Sequence, residues 1–155
     1  MKSEELLTLK SDLLKACNKY IQSRIGNIQK AIENAQASAN EETKSSAGDK
    51  YETGRAMMHL ENENNSVQLI QALDVQKVLQ QINILTVNDT IGLGSLVFTS
   101  IGNYFLSISA GAISIEKKEY FAISPGSPIG QLLTGKSPGD VITFNKRRIE
   151  IDAVY

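Results

Sequence analysis

Ser124-Pro-Gly-Ser-Pro-Ile-Gly-Gln-Leu-Leu-Thr-Gly-Lys136 is the stretch whose punctuation decides the fold of this 155-residue chain. Ser127 can cap a helix with its hydroxyl, Pro128 suits the first turn, where no amide donor is needed, and Gly135 can end the helix in a left-handed conformation. A short helix with both ends signalled is therefore predicted. Ser137-Pro-Gly-Asp140 follows as a turn with proline and glycine at its centre, and Val141 to Phe144 as a strand. In the last strand Ile149, Ile151 and Ala153 alternate with Arg148, Glu150 and Asp152, which predicts one apolar and one wet face.

Upstream to about Leu85 the composition is the same in kind. Glycines stand at 92, 94, 102 and 111 among β-branched and aromatic residues, so 85–155 is predicted as one small β-rich domain. Tyr104, Phe105, Tyr120, Phe121 and Phe144 are spaced for its sheet core.

The first half has a different period. From Glu4 to about Asn40 there is no proline and one glycine, while Leu7, Leu14, Ile21, Ile28 and Ala35 recur at steps of seven. Cys17, Ile25, Ile32 and Ala39 lie three or four residues along and complete an apolar stripe. The apolar signal stops between Asn40 and Lys50, where turn and capping residues predict a reversal. Tyr51, Met58, Leu60, Val67, Ile70, Leu73, Val78 and Ile82 then restore a helical pattern. The polar run Glu61-Asn-Glu-Asn-Asn-Ser66 predicts looser packing in the middle than at the base, where Leu6, Leu13, Val75 and Val78 sit. The expectation is an α+β chain, with a long antiparallel coiled-coil hairpin over 1–84 and the β-rich domain over 85–155.

Sixteen basic and seventeen acidic side chains nearly cancel, which argues against free nucleic acid as the primary ligand. One cysteine and one histidine exclude an internal disulfide and leave too few soft ligands for zinc. Cys17 falls on the apolar seam, as expected of a buried thiol, and His59 beside Met58 and Leu60 has no partners for a catalytic base. No export signal or membrane span is legible, and a cytoplasmic location is expected.

Ser127-Pro-Ile-Gly-Gln-Leu-Leu-Thr-Gly-Lys136 followed by Pro138-Gly-Asp-Val-Ile142 resembles the C-terminal domain of the bacterial Gre transcription elongation factors. Gly130 and Thr134 are the departures. The resemblance covers 86–155 at motif level and the helical part in architecture and order. It implies an FKBP-like domain that docks on RNA polymerase, with Ser127, Pro128, Ile129, Gly135, Lys136, Gly139 and Asp140 as candidate docking residues. It also implies a coiled coil that enters the secondary channel and contacts RNA only indirectly, within the elongation complex. The chain would need no cofactor of its own, and its tip carboxylates would help hold a Mg²⁺ shared with the polymerase active site.

The candidate acids are Asp49 and Glu42 first, with Glu41 and Glu52 as substitutes. The family's compact tip of acid, leucine, serine and acid is missing here, the nearest string being Ser45-Ser-Ala-Gly-Asp49-Lys-Tyr51. Acids at a reversal also cap helices and keep a tip soluble, and Lys44, Lys50 and Arg55 among them are candidates for RNA phosphate or polymerase carboxylates. Three functions follow as expectations: stimulation of transcript cleavage, occupation of the channel without cleavage, and, from the implied fold alone, a peptidyl-prolyl isomerase. Exposed helical seams also leave a homo-oligomer open.

Overall fold

The computed structural model describes residues 2–43 and 48–155, and within these ranges all side chains except those at 39, 41–43 and 48–53. Among the described residues the architecture is α+β: two long helices, then a six-stranded mixed sheet with one short helix. The helices are α1 (Ser3–Thr43) and α2 (Gly48–Gln80). At 41 and 33 residues they run about 60 and 50 Å. Both extend further into the 40–50 stretch than its composition predicts.

The strands are β1 (Leu96–Thr99), β2 (Gly102–Leu106), β3 (Gly111–Ile115), β4 (Lys118–Ile123), β5 (Val141–Phe144) and β6 (Arg147–Val154), with α3 (Pro128–Leu133) before β5. Their order in the sheet is β3-β4-β2-β1-β6-β5. β2 and β4 are parallel and all other neighbours antiparallel. Parallel strands need a crossover, and β3 supplies it: the chain leaves β2, runs along the outer edge as β3 and returns as β4 between them. Two-residue turns close the β3–β4 and β5–β6 hairpins, with Glu116, Lys117, Asn145 and Lys146 all at positive φ. That conformation matches the right-handed strand twist.

Two compact units result, Met1–Tyr20 with Lys77–Tyr155, and Ile21–Gln76. In the first, Ile91, Val97, Tyr104, Leu106, Leu133, Ile142, Ile149, Ile151 and Val154 form the core, with Phe121, Ile123, Ile129 and Phe144 packed against it. Tyr104, Phe105 and Leu106 are all buried, so β2 is covered on both faces. Phe105 and Ser107 share a face by alternation, and Ser107 Oγ lies 3.5 Å from Cys17 Sγ. The base of α1 therefore covers that face. Burial raises the Cys17 thiol above its ordinary pKa, as expected of an inert core cysteine.

Two details depart from the alternation and the heptad. β6 shifts register against β1 between Phe98 and Thr99, so Ile151 pairs with Thr99 while Ala153 pairs with Phe98. That bulge re-phases the strand: Ile149 and Ile151 are buried as predicted, but the third buried residue is Val154, and Ala153 is only half-buried. Near its start α1 buries Leu9, Lys10, Leu13 and Cys17, whereas Leu7 is exposed. There the helix meets the sheet as well, which selects a different face.

In the second unit α1 buries Ile21, Ile25, Ile28 and Ala35. α2 does not follow the predicted row. Leu60, Val67 and Ile70 are exposed, Ala72 is buried, and the inward line runs through half-buried Met58, Asn62, Asn65 and Leu69. Leu60 and Met58 are two residues apart and cannot share a helical face; packing chose the face of Met58. Among the described residues no helix is long and apolar enough to cross a membrane.

Candidate functional site

The short helix α3 is built by its neighbours in sequence. Ser127 sits at the N-cap with extended backbone; its Oγ accepts from Gly130 N at 3.1 Å and donates to the Ser124 carbonyl at 2.7 Å. Gln131 Nε2 donates to Gly126 O, and Thr134 Oγ1 to Gly130 O. Pro128 lies in the first turn. Gly130 is buried where a side chain has no room, since a Cβ there would collide with Ser124 O and stand 2.9 Å from Ser127 Oγ. Thr134 is a C-cap whose hydroxyl closes the helix on the carbonyl of that same glycine.

Beyond α3 the chain is tied down twice. Gly135, at φ +86°, donates to Ile91 O, and Ile91 N donates to Lys136 O, both at 2.9 Å. The 137–140 turn has Gly139 at φ +91°, and Asp140 N donates to Ser137 O. The Asp140 carboxylate accepts from Ser137 N at 2.8 Å. Gly139 N donates to Ile151 O and Ile151 N to Asp140 O, which stitches the turn to β6.

The seven candidate docking residues thus lie on one short stretch, but in two roles. Ser127, Gly135, Gly139 and Asp140 use their polar groups or backbone conformation internally, and Ile129 packs on the core. Pro128 and Lys136 are exposed. Three apolar residues outside that candidate set are also exposed: Leu132 is 38% exposed, Val141 42% and Leu93 39%. Val141 stands on β5, an edge strand whose outward face is free of a sheet neighbour. Leu132 and Val141 owe their exposure to helix and strand phase, which the sequence carries only once α3 and β5 are placed, and Leu93 stands in the turn before β1.

Of the tip acids, Glu41 and Glu42 belong to the last turn of α1 and Asp49 and Glu52 to the first turns of α2. Their side chains lie outside the described residues, as do Lys44 and the Lys50 side chain. Arg55 and His59 are exposed on α2. Among the described residues no three His, Cys, Asp or Glu side chains gather as a metal site.

One buried charge escaped the sequence pattern. Lys10 is 2% exposed, and its Nζ donates to Thr86 O at 3.3 Å, anchoring the segment after α2 to α1. Burial lowers its pKa below the ordinary lysine value. No protein-family model matches the chain, and no curated protein matches it in sequence.

Proposed function

We propose that this chain is an RNA polymerase-binding transcription elongation factor of the Gre type. In this reading α1 and α2 pair as an antiparallel coiled coil that enters the secondary channel, and the sheet with α3 is an FKBP-like domain that docks on the bacterial enzyme. The observation that carries it is the Ser127–Asp140 segment. The residues shared with the family serve there as helix cap, helix end and turn, and they hold Pro128, Leu132, Lys136 and Val141 at the surface. Exposed leucine and valine beside a lysine suit a protein partner better than free nucleic acid. Two helices of more than thirty residues in the same chain supply the reach that a channel requires.

The Mg²⁺ would be the polymerase's own, with oxygen ligands added by Asp49 and Glu42, or by Glu41 and Glu52. Purified protein added to backtracked complexes of the cognate polymerase is expected to shorten the transcript, and Asp49→Asn to abolish shortening while binding persists. Binding without shortening would replace this reading with its alternative, a channel-occupying regulator that does not promote cleavage. The feature that favours this alternative is the tip sequence, which lacks the family's compact acidic string.

A further inference from the structure

The sheet ends in two edge strands that are built differently, β5 and β3. β5 begins at Asp140 and runs straight into Asn145-Lys-Arg-Arg148, and charges of this kind keep an edge from pairing with another chain. β3, at the far end of the sheet, has no such guard. From Ser107 to Ile115 the chain reads Ser-Ile-Ser-Ala-Gly-Ala-Ile-Ser-Ile, without a charge or a proline. Its register with β4 runs without a bulge from Gly111 to Ile115.

The hairpin turn fixes which backbone groups of β3 point outward. Glu116 and Lys117 are the two residues of the turn, so Ile115 and Lys118 form the hydrogen-bonded pair that closes it. Such pairs recur at every second residue, which makes Ile113 with Tyr120 and Gly111 with Ala122 hydrogen-bonded as well. Ala112 and Ser114 therefore aim their N–H and C=O groups away from β4. Both residues are exposed, and among the described residues no other element offers a backbone bond to 111–115. Ile113 and Ile115, on the alternate face, are only half-buried at this rim.

We propose that β3 is a dimer edge, on which a second copy of this chain pairs its own β3 antiparallel and joins the two sheets. The register is self-matching. Centred on Ile113, it sets Ala112 opposite Ser114 of the second copy and Ser114 opposite its Ala112, so both outward residues are used on both chains. Each of these pairs exchanges two hydrogen bonds. Ile113 then meets Ile113 of the second copy in a non-hydrogen-bonded pair, where side chains come closest, and its half-buried surface is covered. Charge agrees with this occupant. The Glu116-Lys-Lys-Glu119 turns fall at opposite ends of the joined ribbon, with Glu116 beside Ala110 and Lys117 beside Ser109, so no like charges meet. The two-fold contact consumes the edge on both chains, and assembly stops at two. The dimer edge goes beyond the polymerase-binding reading and uses none of the α3 or tip residues.

Sedimentation of the full-length chain from about 1 μM to about 1 mM tests it, with a reversible rise expected from 16.9 kDa to twice that mass. As the dimer forms, the Ala112 and Ser114 amides should become slow to exchange by NMR, while those of Ile113 and Ile115, bonded to β4, are slow throughout. Ala112→Lys with Ser114→Lys sets lysine opposite lysine twice and should weaken the dimer about tenfold. Ala112→Lys with Ser114→Glu sets lysine opposite glutamate in the same register and should restore it. Both positions are exposed in the single chain, so the melting temperature at low concentration should not change. A mass of 16.9 kDa throughout, open-ended assembly, a dimer that the two lysines leave intact, or a charge swap that fails to restore pairing would each overturn the proposal. If the lysine variant fails to fold, the concentration dependence of the wild-type Ala112 and Ser114 amides decides alone.

Discussion

The corner formed by α3, the 137–140 turn and β6 and the middle of α2 use polar residues in opposite ways. In the corner each serine, threonine or aspartate that turns inward meets a backbone group: Ser127 with Ser124 and Gly130, Thr134 with Gly130, Asp140 with Ser137. In α2, Asn62 Oδ1 and Asn65 Nδ2 are buried without a partner among the described residues, while Leu60, Val67 and Ile70 face outward. A polar group costs little where the chain has built its acceptor a few residues away, and about 1–3 kcal/mol where it has not. The corner is specified by local chemistry, and the helix middle is tolerated within a longer rod.

The largest break in this comparison should come from Gly130→Ala. The overlap with Ser124 O is with backbone that the Ser127 cap also holds, so a loss of about 3 kcal/mol in urea unfolding is expected; an unchanged midpoint would mean that the corner yields easily. Asn62→Leu with Asn65→Leu should act the other way. Removing both unpaired groups ought to raise stability by about 2 kcal/mol, seen as slower amide exchange along α2, and a loss instead would show that each amide has a partner in solution.

Ser127→Ala removes a cap and should cost about 1 kcal/mol, with faster exchange at the Gly130 amide as the local signature. Lys10→Met sharpens the contrast inside the first unit, where one polar group is buried with a single long bond. Its lowered pKa means that between the folded value and the unfolded 10.5 the unfolded chain holds the extra proton, so wild-type stability gains from this residue as pH rises. The variant should therefore be the more stable at neutral pH, and its advantage should shrink as pH approaches 10.5. A pH-independent difference would assign the effect to packing. Val67→Gln, on an exposed position, should change stability by about 0.5 kcal/mol or less; a larger loss would put that side chain in contact with something apolar.

The corner was legible because its signals are short. A serine three residues before the amide that it caps, a proline in the first turn, and glycines at two positive-φ positions each act within one helical turn or one β-turn, so the order of residues already contains the partners. α1 was legible beyond its first turns for a related reason, since Ile21, Ile28 and Ala35 recur with the helix itself. In α2 the residues at 58, 60, 67 and 70 are compatible with two faces, and which one is covered depends on a neighbour that periodicity does not name. The tip acids were singled out by composition and their place at the predicted reversal, and their side chains lie outside the described residues.

By itself, then, the sequence determined the α+β class, the two long helices, the capped α3, its turn and the two strands that follow, all set by backbone preference and hydrophobic period over a few residues. Only the tertiary structure decided the β2–β4 parallel pairing, the bulge that exchanges Val154 for Ala153, the burial of Lys10 against Thr86, and the meeting of Asp12 with Glu116 and Tyr120 around one cavity. These join residues from about 20 to more than 100 positions apart, or turn on which face a neighbour covers. Their free energy lies in contacts that exist only after the chain has closed, and no local propensity records them.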